Sequence, residues 1–459
     1  MSKLVIMIFR YAFVFYLGYF LWQGVTYLLD EREIRSLNRR ASSSKQRITI
    51  ILFHLTAFFI LAYQPGTFLF NKTVLIMGGA VLIFLIGAMM LTSLVYRKSC
   101  LLLWNGVFLL MDISFVTLYR LEPDVAERQL LFAVIGFSVS LLVPMSFTLT
   151  NKFKPPDFVY LIISLALLSL PFFIGNRSGG SLNWIVIKNV QFQPSEIVKF
   201  FFIFYLAAAF TKKRSIPQLL LSAFFTSVII LVLVIQRDLG GALIFFMTYM
   251  SLMYIWTGRA WLFFTGMGFA SCGAWLASKM FSHVHTRISI WQNPWNDPFN
   301  SGLQILQSLF AINTWGIFGS GLTLGVPRYV PVVTSDFIFA AICEEFGGLF
   351  GLLLMGIYVM IFYRGVNIAL RSLKLHNMFL TAGFTSILTF QTFLILGGVI
   401  KFIPLTGVTL PFVSAGGSSI VVCIVMIGIL QSVMRDNQKE KEDDIYSKTA
   451  KTVPPEYIL

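Results

Sequence analysis

Apolar stretches of about 20 residues follow one another along the chain, separated by short polar gaps. A helix of that length crosses a hydrocarbon core about 30 Å thick. Because lipid offers no water to backbone polar groups, such stretches fold as α-helices. The pattern predicts an all-α polytopic membrane protein with about thirteen transmembrane helices. The predicted spans begin near Leu4, Ile48, Val74, Leu101, Gln129, Phe158, Glu196, Leu219, Gly240, Trp261, Phe337, Met378 and Ser418.

Lysine and arginine concentrate in every second gap between the predicted spans. Cytoplasmic loops of membrane proteins carry this excess, so the basic gaps are predicted to be cytoplasmic. The N-terminus is then outside the cell, the C-terminus is cytoplasmic, and the long loop Ser282–Ser335 between spans 10 and 11 is external. The basic residues that fix this orientation are Arg32, Arg35, Arg39, Arg40, Lys45, Arg47, Arg97, Lys98, Lys152, Lys154, Lys212, Lys213, Arg214, Arg259, Arg364, Arg371 and Lys374.

The composition supports this class and argues against a nucleic-acid-binding protein. Hydrophobic residues make up 57% of the chain, charged residues 12%, and the mean hydropathy is +0.80. A soluble domain has about 25% charged residues. The net charge of +15 lies in short gaps, where it indicates orientation in the membrane. The four cysteines and four histidines lack the spacing of a metal site, so none is assigned to them.

The external loop contains a polar segment rich in proline and tryptophan, WQNPWNDPFNSGLQILQS (Trp291–Ser308). Its prolines cannot continue a helix. Asp297 is the only acid of this segment, with Arg287 upstream and Gln304 downstream. A lone carboxylate among hydrogen-bonding side chains and aromatic rings suits a general base acting on a sugar hydroxyl. Asp297 is therefore the candidate catalytic residue, and Arg287 and Gln304 are candidate substrate-binding residues.

Ionisable residues inside apolar segments are costly and are often functional. Ser195 is predicted to cap the seventh span, which places Glu196 in its first turn and Lys199 on the same face. This pair could bind substrate or could be a structural ion pair that fixes helix packing. Asp238 lies in a tight turn before a glycine pair, where it could bind substrate or stabilise the turn.

Two further segments carry candidate substrate-binding residues. In SDFIFAAICEEFG, a continuous helix would place Asp336 and Glu344 about 80° apart around the axis and roughly 12 Å apart along it. They could line one wall of a cavity, with Glu345 pointing elsewhere. The last external loop, PLTGVTLPFVSAGGSS, could present backbone N–H groups to a phosphate or could be a re-entrant packing turn. Its candidates are Ser414, Gly416, Gly417 and Ser418.

Five segments together resemble the SEDS family (shape, elongation, division and sporulation proteins), which contains FtsW, RodA and SpoVE. In chain order they are SLNWIVI…FQPSEIVK, QRDLGGAL, RISIWQNPWNDPFNSGLQILQS, SDFIFAAICEEFG and PLTGVTLPFVSAGGSS, from Ser181 to Ser419. The resemblance implies three regions: extra transmembrane spans over residues 1–99, a ten-span core over residues 100–435, and a cytoplasmic tail over residues 436–459. The charged composition of that tail predicts disorder.

The resemblance also implies an activity and partners. Members polymerise lipid II outside the bacterial cytoplasmic membrane, releasing undecaprenyl diphosphate, during division, elongation or sporulation. Each usually works with a class B penicillin-binding protein and with divisome or elongasome proteins. The family's essential loop aspartate falls on Asp297, and its cavity-lining acid and lysine fall on Glu196 and Lys199. Arg237, Thr334, Trp315 and Ala415 depart from the family pattern, which leaves the division and elongation branches open.

The chemistry of the residues is compatible with this activity. Transfer from an α-linked diphosphate to a β-glycosidic bond is an inversion, which needs one base and no covalent intermediate. The leaving diphosphate needs positive charge or backbone donors. Arg287, Lys199, Arg237 and Lys401 are the candidates, and a divalent cation such as Mg²⁺ or Mn²⁺ is the alternative. Two other functions remain open, a transporter such as a lipid-linked sugar flippase, and a non-catalytic scaffold for a penicillin-binding protein.

Overall fold

A computed structural model of the protein describes residues 2–32, 36–63, 69–96, 101–153, 156–178, 181–187, 190–212 and 214–452. Within these ranges the chain is dominated by α-helices, as the hydrophobic pattern predicts. The helices are α1 (Ser2–Arg32), α2 (Ser36–Ala62), α3 (Lys72–Val95), α4 (Leu102–Leu121), α5 (Pro123–Phe153), α6 (Asp157–Ile174), α7 (Pro194–Phe210), α8 (Ile216–Ile235), α9 (Leu239–Thr257), α10 (Ala260–Met280), α11 (Ser282–Gln292), α12 (Leu303–Thr314), α13 (Ile338–Phe346), α14 (Gly348–Leu370), α15 (Leu375–Val399) and α16 (Gly417–Thr452).

Twelve helices of the described residues are long and apolar enough to cross a membrane. The predicted seventh span, α7, has 17 residues, which is at the short end of the range of about 17–25 that a crossing needs. The total of about thirteen spans therefore stays a prediction. The predicted tight turn between the eighth and ninth spans is present, since α8 ends at Ile235 and α9 begins at Leu239.

The prediction that the eleventh span begins at Phe337 is wrong. A continuous helix was expected from Phe337, but α13 ends at Phe346 and α14 begins at Gly348. Gly347 lies between them with φ +96°, and a Cβ atom there would be 2.3 Å from the carbonyl oxygen of Ile317. Only glycine tolerates both the dihedral and the close approach. The helix is therefore broken where the loop after α12 crosses it.

Helix α4 is the centre of the bundle. Every residue of α4 except Arg120 is buried. Helices α2, α3, α5, α13, α14 and α16 all pack against it. Apolar residues occupy every face of α4, which suits a fully buried helix, although the helix also carries buried polar residues. The first three helices are therefore packed directly onto the predicted core.

Buried polar groups join α2 and α3 to α4. His54 Nδ1 lies 2.7 Å from Asp112 Oδ1, and His54 Nε2 lies 2.9 Å from the carbonyl oxygen of Gly78. Towards the other end of the same interface, Arg47 Nε donates to Asn105 Oδ1 at 3.2 Å. Hydrogen bonds between helices satisfy polar side chains that lipid could not. They fix the register of α2 and α3 against α4.

A small antiparallel sheet departs from the all-α prediction. Its strands are β1 (Asn176–Ser178), β2 (Ser181–Ile187) and β3 (Val190–Phe192), in the order β1-β2-β3. The sheet lies in the loop between α6 and α7, where Leu182 N donates to the carbonyl oxygen of Gln236 at 2.9 Å. The loop Ser282–Ser335 is also structured, because it contains α11 and α12.

The last helix is longer than expected. Disorder was predicted from residue 436, but the backbone of α16 continues as a helix to Thr452. Two contacts hold its path beyond the predicted span: Asn437 Nδ2 donates to Ser372 Oγ at 3.0 Å, and Lys374 forms an ion pair with Glu440. Both partners belong to the turn between α14 and α15, so this turn supports the extension.

The start of α1 and the Ser282–Ser335 loop lie on one side of the molecule, hereafter the Asp297 side. Arg10 Nη1 donates to the carbonyl oxygen of Gly319 at 3.1 Å, which requires this arrangement. The parity of the basic gaps places both segments on the same side as well. Which side of the membrane this is stays a prediction from the basic gaps.

Cysteine labelling tests the orientation. In a variant whose native Cys100, Cys272, Cys343 and Cys423 are replaced, Ser301→Cys should react with a membrane-impermeant maleimide on intact cells. Arg259→Cys, in the exposed turn between α9 and α10, should react only after lysis, because its gap is predicted to be cytoplasmic. The reverse pattern would invert the topology.

Candidate active site

A buried ion pair lies at the start of α7. Lys199 Nζ lies 2.7 Å from Glu196 Oε1 and donates to Gln391 Oε1 at 2.9 Å. Ser195 was predicted to cap α7, but the N-cap residue is Gln193. Pro194 is then the first residue of the helix. Proline suits that position because its missing N–H would have no partner there. Glu196 lies in the first turn, as expected, and faces Lys199 one turn later.

The ion pair belongs to a larger polar network that joins four parts of the fold. Gln391 Nε2 on α15 donates to the carbonyl oxygen of Thr409 at 2.9 Å. Thr409 Oγ1 lies 2.8 Å from Ser419 Oγ, in the first turn of α16. We call the set Glu196, Lys199, Gln391, Thr409 and Ser419 the buried network. It connects α7, α15, the last loop and α16.

Sequence reasoning missed Gln391 and Thr409. Ser419 belongs to the last external loop that the sequence singled out, but its contact with Thr409 was not predicted. A signal was present for Gln391, because its amide interrupts an apolar segment, and polar groups at such positions need a partner. The partner could not be read from the chain, since Lys199 and Gln391 are 192 residues apart. The other carboxylate oxygen of Glu196, Oε2, is buried and accepts no hydrogen bond from the described residues.

Asp238 caps a helix, in keeping with the structural alternative. Its Oδ1 accepts a hydrogen bond from the backbone N–H of Gly241 at 2.9 Å, at the start of α9. Its Oδ2 accepts from Gln193 Nε2 at 3.0 Å and lies 3.4 Å from Ser195 Oγ. Both oxygens are thus used by protein donors. Asp238 ties the start of α9 to the start of α7, which positions the ion pair.

Asp297 lies in an open turn between the one-turn helix Pro294–Asn296 and α12. Its Oδ1 accepts a hydrogen bond from Asn300 Nδ2, and its Oδ2 accepts from the backbone N–H of Ser301, both at 3.0 Å. These two hydrogen bonds hold the pKa of Asp297 below its ordinary value, and the bond from the Ser301 N–H has the larger effect. The side chain is therefore a carboxylate at neutral pH, and its turn is partly exposed.

Arg287 and Trp291 connect α11 to the last loop. Arg287 Nη1 donates to the carbonyl oxygen of Thr406 at 3.1 Å, and Trp291 Nε1 donates to that of Lys401 at 3.2 Å. A Cβ atom at Gly407, whose φ is +74°, would lie 3.7 Å from Arg287 Nη2 and 3.8 Å from Asp336 Oδ2. Burial raises the pKa of Asp336, and the nearby Arg287 guanidinium only partly opposes this rise. Arg287 thus already serves a contact between two loops.

Glu344 and Glu345 differ from their predicted arrangement. Asp336 precedes α13, so the helical spacing expected between Asp336 and Glu344 is wrong. Glu344 Oε1 accepts a hydrogen bond from Val326 N at 2.7 Å. Glu345, expected to point elsewhere, accepts from Thr323 N and from Arg120 Nε, each at 3.2 Å. Both carboxylates hold the backbone of the loop between α12 and α13.

The last loop is tied down by its own polar groups. Ser414 Oγ donates to the carbonyl oxygen of Ser335 at 2.5 Å and accepts from Leu410 N at 2.9 Å. Gly416 N donates to Gln129 Oε1 at 3.2 Å, so this N–H is already used. At Gly417, a Cβ atom would lie 2.6 Å from the ring of Phe132. Ser418 is half-buried in the first turn of α16.

The predicted site residues thus do not form a single cluster. Glu196 and Lys199 lie in the buried network, with Asp238 beside it at the start of α9. Asp297 lies in its turn with Gln304 half-buried at the start of α12. Among the described residues no hydrogen bond or ion pair joins Asp297 to the buried network, and none of them form a cluster of three or more His, Cys, Asp or Glu that could hold a metal ion.

A sequence profile of the FtsW/RodA/SpoVE cell cycle proteins matches residues 92–439. This range contains Asp297, its turn and the whole buried network. The chain belongs to the FtsW/RodA/SpoVE family. Helices α1 and α2 and most of α3 precede the matched range.

Curated relatives carry names from each branch of the family. The chain is 30% identical over 329 residues to peptidoglycan glycosyltransferase RodA of Mycobacterium tuberculosis, covering 67% of this chain and 70% of that protein. It is 31% identical to stage V sporulation protein E of Bacillus subtilis, covering 68% and 87%. It is 32% identical to probable peptidoglycan glycosyltransferase FtsW of Buchnera aphidicola, covering 74% and 92%.

Solved structures share the fold. A chain from a study titled "Structural coordination of polymerization and crosslinking by a peptidoglycan synthase complex" superposes with a TM-score of 0.64 at 25% identity, covering 73% of this chain and 97% of that one. Rod shape determining protein RodA of Thermus thermophilus superposes with a TM-score of 0.56 at 24% identity, covering 74% and 98%. The helical architecture of this chain is therefore that of known family members.

Breaking the buried ion pair should be far more costly than breaking an exposed one. Lys199→Met leaves Glu196 charged and unpaired in the bundle, a loss of about 3–5 kcal/mol in stability if the site is dry. The exposed pair Lys212–Asp157 has the same N–O distance of 2.7 Å. Lys212→Met should cost below about 1 kcal/mol. Thermal unfolding of the two variants in detergent measures the difference.

The double variant Glu196→Gln plus Lys199→Met separates a structural role from a binding role. Removing both charges should restore folding, because no unpaired charge remains buried. If Lys199 also meets the substrate diphosphate, the refolded variant stays inactive in glycan polymerisation. Normal polymerisation by this variant would show that the pair serves only helix packing.

Proposed function

We propose that this protein is a peptidoglycan glycosyltransferase that polymerises lipid II, with Asp297 as the general base. The observation that carries the role of Asp297 is its turn, where two N–H donors keep the carboxylate ionised and leave it accessible. Family membership and the names of the curated relatives support the activity. The predicted external position of the loop supports a reaction on the outer side of the membrane.

The reaction requires little covalent chemistry from the protein. The acceptor 4-hydroxyl oxygen bonds to the anomeric carbon of the donor sugar, and the bond from that carbon to the diphosphate breaks. The hydroxyl proton passes to Asp297. An ionised carboxylate has about four lone-pair sites, and the Asp297 turn occupies only two of them through Asn300 and Ser301. The carboxylate can therefore accept the substrate hydroxyl without losing the contacts that orient it.

The leaving undecaprenyl diphosphate needs compensation for its negative charge. Lys199 and Arg287 are the candidates that the fold holds most firmly, each through hydrogen bonds across different elements. Lys401 and Arg237 add charge at loop positions with left-handed φ values of +60° and +63°. Glu196, Gln304, Asp336, Gly417 and Ser418 form the proposed surrounding substrate-binding set, with Asp238 positioning α7. Glu344, Ser414 and Gly416, also predicted to bind substrate, hold the backbone of the surrounding loops instead.

We further propose a class B penicillin-binding protein as partner, within a division, elongation or sporulation assembly. The structural neighbour of highest TM-score among those described above comes from a peptidoglycan synthase complex, which supports a partner of this kind. The site of action is the bacterial cytoplasmic membrane. The N-terminus faces outwards and the C-terminus faces the cytoplasm, as the basic gaps indicate.

Replacing Asp297 tests the catalytic role. Asp297→Asn and Asp297→Ala should lower the rate of glycan polymerisation by about 10²–10⁴, because the acceptor hydroxyl loses its base. The assay uses purified protein, labelled lipid II and the cognate penicillin-binding protein. Asp124→Asn, an exposed acid in the first turn of α5, is the matched control and should keep the normal rate.

The outcomes distinguish the proposed function from its rivals. A scaffold would support polymer formation equally well with either variant of Asp297, whereas a transporter would move lipid-linked sugars across vesicles without making polymer. Normal polymer length and rate in Asp297→Asn would overturn the catalytic assignment. Folding of each variant is checked by its thermal unfolding, so that loss of activity is not confused with loss of structure.

A divalent cation is the second proposed source of positive charge. Mg²⁺ usually binds one or two carboxylates together with substrate phosphates rather than a cage of protein ligands. The Asp297 carboxylate is accessible and ionised, which fits such sharing. Chelation with EDTA should slow polymerisation, and Mg²⁺ or Mn²⁺ should restore it. An unchanged rate in EDTA would assign the charge compensation to Lys and Arg alone.

A further inference from the structure

Helix α1 lies outside the matched family range, yet its first turns contact the loop that follows α12. Arg10 Nη1 donates to the carbonyl oxygen of Gly319 at 3.1 Å. Arg10 Nη2 also donates to Tyr11 OH at 2.8 Å, and the Tyr11 ring packs edge-on against Phe318 with centroids 4.9 Å apart. We call residues 316–325 the clasp loop. The Arg10 guanidinium and the Tyr11 ring of α1 thus contact two consecutive residues of the clasp loop, Gly319 and Phe318.

The clasp loop fits closely between α1 and the break that separates α13 from α14. A Cβ atom at Gly321, whose φ is +98°, would lie 3.0 Å from Ile6 Cγ2. At Gly319, with φ +71°, it would lie 2.4 Å from the backbone nitrogen of Gly347. Both glycines permit dihedrals and approaches that other residues would not. One face of the loop therefore meets α1, and the opposite face meets the helix break.

The far face of the clasp loop is fixed by α13. Ser320 N and Gly321 N donate to the carbonyl oxygens of Glu344 and Glu345, each at 2.9 Å. The carboxylates of the same two residues accept from Val326 N and Thr323 N. Arg120 of α4 also donates to the carbonyl oxygens of Thr323 and Gly325, at 3.3 and 3.2 Å. These contacts would anchor the loop without α1, and α1 adds support from a further helix.

Helix α1 is itself firmly seated. The Phe13 ring packs edge-on against Phe346 of α13 with centroids 5.1 Å apart, and against Phe53 of α2 with centroids 5.2 Å apart. Helix α2 is bound to α4 through the His54–Asp112 contact. Aromatic pairs of this kind contribute beyond the area that they bury. Arg10 and Tyr11 thus attach the clasp loop to a helix that is itself firmly packed.

The clasp loop continues directly from α12, and α12 continues directly from the Asp297 turn. Helix α12 has 12 residues, so it is a rod about 18 Å long. Its first residue, Leu303, follows Ser301, whose N–H orients the Asp297 carboxylate. Movement at the clasp-loop end of the rod therefore changes the position of the carboxylate at the other end.

We propose that α1 positions Asp297 through the clasp loop and α12, so that the additional N-terminal helices take part in catalysis. The inference rests on the proposed role of Asp297 as base. Arg10 and Tyr11 are positioning residues, since they touch neither substrate nor the reacting atoms. A displacement near 1 Å can cost about 10²-fold in rate when a catalytic group must meet its substrate.

The test compares the double variant Arg10→Ala plus Tyr11→Ala with a lipid-facing control on the same helix. Ile8 and Phe15 are 60% and 65% exposed, so Ile8→Ala plus Phe15→Ala removes similar bulk without touching the clasp loop. The first variant should lower kcat for lipid II polymerisation by about 10- to 100-fold, with KM little changed. The control should match the wild type.

Three further measurements separate positioning from general stability. Hydrogen exchange should quicken at the clasp loop and at the Ser301 amide in the first variant, while its thermal unfolding stays close to that of the control. Arg10→Lys keeps a donor for Gly319, and Tyr11→Phe keeps the ring contact, so the pair of conservative changes should restore kcat. A loss of kcat accompanied by a matching loss of thermal stability, without rescue, would overturn the inference.

Asp297→Asn is measured in parallel. An inactive Asp297→Asn together with a normal Arg10→Ala plus Tyr11→Ala variant would refute the positioning role and leave the catalytic assignment intact. An active Asp297→Asn would refute the proposed base itself. Unchanged exchange at the Ser301 amide in the α1 variant would show that the rod does not link the two ends.

Discussion

The arrangement of the buried network depends on the two contacts made by the ammonium group of Lys199. This group lies among helices, bonded to Glu196 on its own helix and to Gln391 on α15. A charge in such surroundings is tolerated only where partners surround it. Gln391 can serve Lys199 through its oxygen because its nitrogen donates to Thr409. One charge thereby sets the orientation of an amide, a loop and the first turn of α16.

The same demand for partners explains why the irregular segments are stable. The last loop and the loop between α12 and α13 contain few regular backbone hydrogen bonds, and lipid could not replace them. Side chains provide substitutes: Gln129 accepts from Gly416, and Glu344 accepts from Val326. Carboxylates that sequence reasoning assigned to a substrate cavity thus satisfy backbone N–H groups. Acidic residues near a predicted site are not all available to a ligand.

The sequence predicted the helical class, the places of most spans and the family motifs, because each depends on local composition. Twenty apolar residues or so specify a span wherever they occur. The Glu196–Lys199 pair was also predictable, since three residues make one helical turn. The Gln391 partner and the Arg287–Thr406 contact were not, because the distance along the chain hides them. The break at Gly347 was missed since its cause, the carbonyl oxygen of Ile317, comes from a distant loop.

The burial of α4 limits where another membrane protein can approach. Its surface is already divided among α2, α3, α5, α14 and α16, and α1 covers part of α14. A foreign helix could reach α4 only by displacing one of these neighbours. Helix α10 is different, because none of its residues is buried. The helices of the protein are thus unequally accessible from the bilayer. Helix α4 is covered by its own chain, whereas α10 is open to lipid or to another membrane protein.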